Sequence, residues 1–274
     1  MKAKIPMPCL ILFLTLYAGG CTTNRITGRT QASLVSDAEA ARQSAQAYNQ
    51  VLTKAKQGNA LDVDSETLKH VRAIANPIIV KAQELRPETR NWQWDVHVLE
   101  QDEVNAWCMA GGKIAVYTGL LDQIKPTDDE LAQVLGHEIS HALLSHQAEK
   151  LSRAMIEETG MNLAVAGAAI AGYDVKDYTD VAKTIASVGL QLPNSREAES
   201  EADNYGIELA AKAGYNPNAA VSLWQKMISA TGGSGGSDWL STHPSPGSRI
   251  QNLKARAAQL MPVYKAAHAS AKRR

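Results

Sequence analysis

The first chemical signal lies in Gly136-His137-Glu138-Ile139-Ser140-His141, where two histidines stand four apart with a glutamate beside the first. On an α-helix, at about 100° per residue, all three fall within an arc of roughly 100°, so two imidazoles and a carboxylate address one point. Neutral imidazole nitrogens bind zinc at about 2.0–2.1 Å, and a hydrolytic site keeps three protein ligands so that a fourth position stays open to water. Glu138 is rotated away from the histidine pair, which suits a base taking a proton from that water better than it suits a ligand. Hydrolysis of an amide bond is the chemistry implied.

The element that must position these groups is a helix. Thr127-Asp128-Asp129-Glu130 has the form of a capping box with acidic residues over the positive helix end. Leu131, Leu135, Ile139 and Ala142 make an apolar stripe beside the histidine face, which sets the site at the edge of a core.

A third ligand must come from elsewhere. Metzincins place a histidine ten residues after the first, where this chain has Gln147, with His146 one position early, so that class is excluded. A carboxylate on a second helix is the other common solution, and Ser195-Arg196-Glu197-Ala198-Glu199-Ser200-Glu201-Ala202-Asp203 supplies a cluster. Glu199 and Asp203 stand four apart, so one can bind metal while the other orients a ligand histidine. Glu197 and Glu201 have the same spacing, and spacing alone does not choose among the three glutamates.

Around these motifs, 274 residues at 45% hydrophobic and 20% charged suit one sizeable domain plus accessory segments. Net charge is zero, and without the leader 26 basic residues face 28 acidic ones, which gives nucleic acid nothing to bind. Lys2 and Lys4 precede the apolar Leu10-Ile11-Leu12-Phe13-Leu14-Thr15-Leu16 and then Ala18-Gly19-Gly20-Cys21. This reads as a signal peptide over 1–20 ending in a pattern that resembles a bacterial lipobox, with Cys21 the lipidated first residue of the mature chain. Thr22 after the cysteine resembles outer-membrane sorting. Cys9 leaves with the leader and Cys21 carries lipid, so Cys108 has no disulfide partner and is expected as a packed residue near the site.

Residues 21–60 read as a tether followed by a helix in the Ala- and Gln-rich run Ala38 to Lys56, and 61–265 as the catalytic domain, with a basic tail over 266–274. Leu68, Val71, Ile74 and Ile78 predict a helix over Ser65 to Arg86, apart from Pro77. Trp92 to Val98 alternates as a half-buried strand, with His97 structural. Asn105 to Gly119 predicts a strand broken at Gly111-Gly112, an edge against which an extended peptide could pair over the metal. Met161 to Gly172 is apolar but about 12 residues long, short of the roughly 20 that cross a bilayer. Thr231 to Ser237 is a glycine- and serine-rich loop.

With these residues in view, the chain resembles the zinc metallopeptidase family that includes HtpX-like membrane proteases, CAAX prenyl endopeptidases, the mitochondrial Oma-type protease and periplasmic lipoprotein proteases. Its motifs are His-Glu-x-x-His and a later Glu-x-x-x-Asp, here His137 to His141 and Glu199 to Asp203. The likeness extends to Asn24 through Val35, Asn105 through Leu121, Arg196 through Tyr215 and Ser241 through Ile250. It implies one zinc per chain held by His137, His141 and Glu199, with Asp203 orienting a ligand and Glu138 as base. It also implies that Ser241-Thr242-His243-Pro244 and Arg249 belong near the active site, where His243 either stabilises the oxyanion or occupies the open zinc position.

The expectation is a mainly helical α+β, zincin-like domain with a small sheet beside the His-Glu-x-x-His helix. It would be a gluzincin-type endopeptidase, lipid-anchored in the periplasm at the outer membrane and cutting unfolded or misassembled envelope proteins. The competing expectation is a zinc-stabilised, chaperone-like or binding lipoprotein whose protease site is latent.

Overall fold

The computed structural model describes residues 21–157, 194–230, 241–243 and 247–271. The expected leader, the apolar stretch Met161 to Gly172 and the Thr231 to Ser237 loop lie outside them. Strands β1 (Cys21–Thr23) and β2 (Thr30–Ala32) pair antiparallel as a ribbon ahead of the first helix. The Ala- and Gln-rich run forms α1 (Asp37–Gln57), opened by Ser36, whose hydroxyl accepts from the Glu39 amide. In α2 (Ser65–Leu85), capped by Asp64, the expected apolar spacing buries Val71, Ile74 and Ile78, and Pro77 sits inside the helix without ending it.

Three short strands, β3 (Asp95–Leu99), β4 (Ala106–Met109) and β5 (Lys113–Tyr117), make a sheet in the order β3-β5-β4. The β3–β5 pair is parallel and the β4–β5 pair antiparallel, with Ala106 opposite Val116 and Met109 opposite Lys113. The predicted glycine break is the turn between β4 and β5, where Gly111 and Gly112 have φ of 82° and 78°. A Cβ on Gly112 would also lie 2.6 Å from the Trp94 ring, so glycine is required twice over. Tyr48 of α1 is buried against the sheet, edge-on to Trp107, with its hydroxyl donating to the Ile114 carbonyl.

The central element is α3 (Asp128–Leu143). Thr127 and Glu130 close the capping box reciprocally, at 3.3 and 2.9 Å, and Lys226 and Ser222 bind the same Glu130 carboxylate. From Glu130 to Leu143 every residue of α3 is buried, so the expected stripe of Leu131, Leu135, Ile139 and Ala142 is one side of a helix enclosed on all sides. Its neighbours are α2, β4, α4 (Arg196–Lys212) and α5 (Ala219–Ala230), while α6 (Arg249–Ala271) packs on α4 and α5.

The approach of α3 to α4 depends on two glycines. A Cβ on Gly136 would lie 2.5 Å from the Gly206 carbonyl oxygen, and one on Gly206 would lie 2.7 Å from the His137 amide nitrogen. Each glycine costs a helix interior about 1 kcal/mol relative to alanine. In return the two backbones come into direct contact beside His137, close enough for short carboxylate side chains on α4 to reach imidazoles on α3.

Candidate metal centre

The structure brings His137, His141, Glu199 and His243 together, all buried, with one donor atom of each within 4.8 Å of the others. His137 Nε2 lies 3.1 Å from His141 Nε2 and 3.4 Å from His243 Nδ1. Glu199 reaches His137 Nε2 at 3.4 Å, His141 Nε2 at 3.3 Å and His243 Nδ1 at 2.9 Å through one or other oxygen. Four donors bonded at about 2.0–2.1 Å to one tetrahedral ion would stand about 3.3 Å apart, so the set fits zinc in spacing and in chemistry.

Glu199 is the glutamate of its cluster that meets the histidines, and it is fully buried. Glu197 is exposed in the first turn of α4, and Glu201 points to a different neighbour. Asn194, just ahead of α4, donates from Nδ2 to Glu199 Oε1 at 2.9 Å and from its amide to the Thr242 carbonyl at 3.0 Å, tying the His243 segment to the cluster.

Asp203 lies 3.1 Å from His137 Nδ1. A carboxylate only accepts, so His137 donates to Asp203 from Nδ1; against the effect of burial, Asp203 and Glu199 hold its pKa up at about 9 without metal, and a bound zinc would take the Nε2 position in place of the second proton. Arg249, which the family likeness sets near the active site and among its candidate catalytic residues, makes its bonds behind the cluster: Nη2 donates to Asp203 at 2.6 Å and Nη1 to Glu199 at 3.2 Å. Its guanidinium stacks 3.7 Å above the Trp224 ring, so one buried cation holds both carboxylates in register.

His141 is backed differently. Its Nδ1 is 2.8 Å from His146 Nδ1, and His146 Nε2 is 2.9 Å from Glu201. Arg29, from the loop between β1 and β2, grips Glu201 with Nε and Nη2 at 3.0 and 2.9 Å and Glu149 with Nη1 and Nη2 at 2.8 and 2.6 Å. Burial pushes both His141 and His146 below the usual imidazole range, so both rings are neutral at neutral pH. In the sequence, Arg29 carries no motif and His146 stands out only as one position short of a metzincin ligand. The available signal was the Asn24 to Val35 likeness, which a mere tether does not need.

Glu138 is buried beside the cluster, with Oε1 3.5 Å from His243 Nε2 and, among the described residues, without a hydrogen-bond partner. Burial raises its pKa, which suits a group that must take up and release a proton. A cleft of about 480 Å³ opens here, lined by β4 residues Ala106 to Met109 together with Glu138, His141 and His243. Among the described residues β4 is an edge strand, bonded within the sheet only to β5. Cys108 is buried in the cleft wall and burial raises its thiol well above the usual range, as a packed residue rather than a nucleophile. Cys21 is exposed at the start of β1. No helix among the described residues is long and apolar enough to cross a membrane.

A family model, peptidase family M48, matches residues 66–257. The chain is 40% identical over 164 residues to the mitochondrial metalloendopeptidase OMA1 of Arabidopsis thaliana, covering 60% of this chain and 31% of that one. It is 29% identical over 260 residues to metalloendopeptidase OMA1 of Bos taurus, covering 92% and 49%. With metalloprotease LoiP of Escherichia coli it shares 30% identity over 229 residues, covering 82% and 83%. The chain thus spans half or less of those two OMA1 relatives and most of LoiP.

Proposed function

The chain belongs to peptidase family M48, and on that premise we propose that it is a zinc-dependent metalloendopeptidase with His137, His141 and Glu199 as ligands and Glu138 as proton shuttle. The observation that carries the reading is the convergence of three imidazoles and one carboxylate, spaced for a single zinc, beside the buried Glu138 carboxylate, whose Oε1 lies 3.5 Å from His243 Nε2. A zinc ion held there supplies polarisation of the scissile carbonyl and acidification of water. Glu138 accepts the proton of the attacking water and delivers it to the departing amine. Asp203 holds the His137 ring, and Arg249 acts through Asp203 and Glu199 as a positioning residue. The edge of β4, unpaired among the described residues, supports an extended peptide lying along the cleft by strand pairing, with its scissile bond over the cluster.

Casein cleavage and zinc content, measured on wild type and Glu138→Gln, test this reading. Intact zinc with cleavage lost in the variant is expected; equal cleavage in the two proteins rejects Glu138 as the shuttle.

A second reading is favoured by one observation. His243 Nδ1 stands where a fourth ligand would stand, so the resting enzyme is self-blocked and cleaves only when the His243 segment moves away. Such an enzyme would spend much of its time as a latent, zinc-stabilised binding protein. His243→Ala should then raise basal casein cleavage. A fall of about 10²–10³ with zinc retained would instead assign His243 to the oxyanion.

The signal-peptide pattern supports Cys21 as a lipidated residue that tethers the enzyme to the outer membrane from the periplasm. Unfolded or misassembled envelope proteins are the substrates this location and the family likeness suggest. Mass spectrometry of the mature N-terminus, in wild type and Cys21→Ser, tests the anchor: a lipid-modified Cys21 is expected in wild type, and release from the membrane fraction in Cys21→Ser.

A further inference from the structure

We propose that Arg29, Glu201 and His146 form an outer brace that fixes the tautomer of His141, making the loop between β1 and β2 a working part of the metal centre. The inference rests on the zinc-centre reading above. It starts from hydrogen-bond chemistry. Glu201 is gripped by two Arg29 nitrogens and so remains a carboxylate, which only accepts. His146 must therefore donate to it from Nε2, at 2.9 Å. Its Nδ1 faces His141 Nδ1 at 2.8 Å, where one nitrogen donates and the other accepts, and a His141 that binds metal through Nε2 keeps its proton on Nδ1. His141 must then donate from Nδ1, which leaves its Nε2 lone pair directed into the cluster. Reversing any proton along this line would put two donors or two acceptors face to face in the protein interior, or aim an N–H where a metal must sit.

The loop that supplies Arg29 is built to stay in place. Asn24 Oδ1 accepts from the Ile26 and Thr27 amides, and Gly28 takes a φ of 74°. Asn24 Nδ2 and Gln31 Nε2 both donate to the Leu144 carbonyl, at 2.9 and 3.0 Å, and Tyr205 donates to the Ile26 carbonyl at 3.0 Å. Leu144 is the residue that ends α3, two positions before His146. One loop thus holds the helix end and the cation of the brace, while Glu149 supplies the second carboxylate that locks the Arg29 fork.

The test reads the proton directly. In the metal-free wild type, two-bond ¹H–¹⁵N spectra of the imidazoles should show His141 as the Nδ1–H tautomer. Arg29→Ala and Glu201→Leu should give a tautomer mixture and weaken zinc about 10–100-fold in competition with a chromophoric chelator. Glu201→Gln, which keeps an acceptor for His146, should bind zinc more tightly than Glu201→Leu. Arg153→Ala, which removes an exposed guanidinium from the far side of Glu149 and leaves the Arg29 fork in place, should change neither readout. An Nε2–H His141 in the metal-free wild type would overturn the brace however the variants fold, and so would unchanged tautomer and zinc affinity in Arg29→Ala and Glu201→Leu. Failure of the parent reading looks different: wild type would then bind no zinc, or Glu138→Gln would cleave casein as wild type does.

Discussion

The two histidines of α3 stand one helical turn apart and are backed in unlike ways. Behind His137 a carboxylate, Asp203, makes contact directly and is held by Arg249 stacked on Trp224, all from helices of the main core. Behind His141 an extra imidazole, His146, intervenes before the carboxylate Glu201, and the cation, Arg29, comes from a loop outside that core. Both assemblies end in the same pairing of carboxylate and guanidinium, and both leave Nε2 facing the cluster. The difference is one of reach. Beside His137 the Gly136–Gly206 contact brings α4 close enough for a two-carbon aspartate, whereas Glu201 needs a ring to span the remaining distance. One side of the metal centre is therefore as stable as the core, and the other is as stable as the seating of the N-terminal loop.

The contrast can be broken most severely at the helix contact. Gly206→Val should abolish zinc binding and lower the melting temperature. The added side chain meets the backbone of α3 near His137, where nothing flexible can yield, and overpacking of this kind costs about 1–3 kcal/mol. Gly206→Ala is the milder form. A helix interior gains about 1 kcal/mol from the exchange, so net destabilisation in thermal unfolding would show that the 2.7 Å contact outweighs propensity.

Next in size is the direct brace. Asp203→Asn should weaken zinc about 10–100-fold with stoichiometry kept at saturating metal, as read by chelator competition. Arg249→Gln should lose at least as much, because Arg249 touches both Asp203 and Glu199 and its removal takes the cation from the buried Glu199 carboxylate. The smallest effect belongs to a site that serves α3 without touching either brace. Thr127→Ala should cost about 1 kcal/mol in denaturant unfolding and leave zinc affinity unchanged, since it removes one cap at the far end of the helix.

Much of this centre was legible before any coordinates. His137, Glu138 and His141 follow from helical periodicity, and the cap at Thr127 fixes where that helix begins. The sheet was readable from its alternation and its glycine turn. Spacing left Glu197, Glu199 and Glu201 equivalent, because which face of α4 turns toward α3 is decided by the Gly136–Gly206 contact, a tertiary fact. Two glycines inside helical runs were the available hint of a close backbone approach. His146 was hidden for a different reason. Five residues after His141, it would point to another side of a continuous helix. The chain instead breaks at Ser145, in the left-handed region at φ 59°, and the new helical stretch turns the ring back. Arg29 is 172 residues from Glu201 in sequence, and no local pattern joins them.

The claim on which the rest depends is that the acidic residues of α4 have separate tasks, with Glu199 in the metal set and Glu201 and Asp203 behind the two histidines. Zinc stoichiometry of purified wild type, Glu199→Ala and Glu201→Ala, each confirmed folded by circular dichroism and dialysed against the same metal buffer, tests it most directly. One zinc per chain in wild type and Glu201→Ala, with none in Glu199→Ala, is the predicted result. Stoichiometric zinc in Glu199→Ala together with its loss in Glu201→Ala would contradict it.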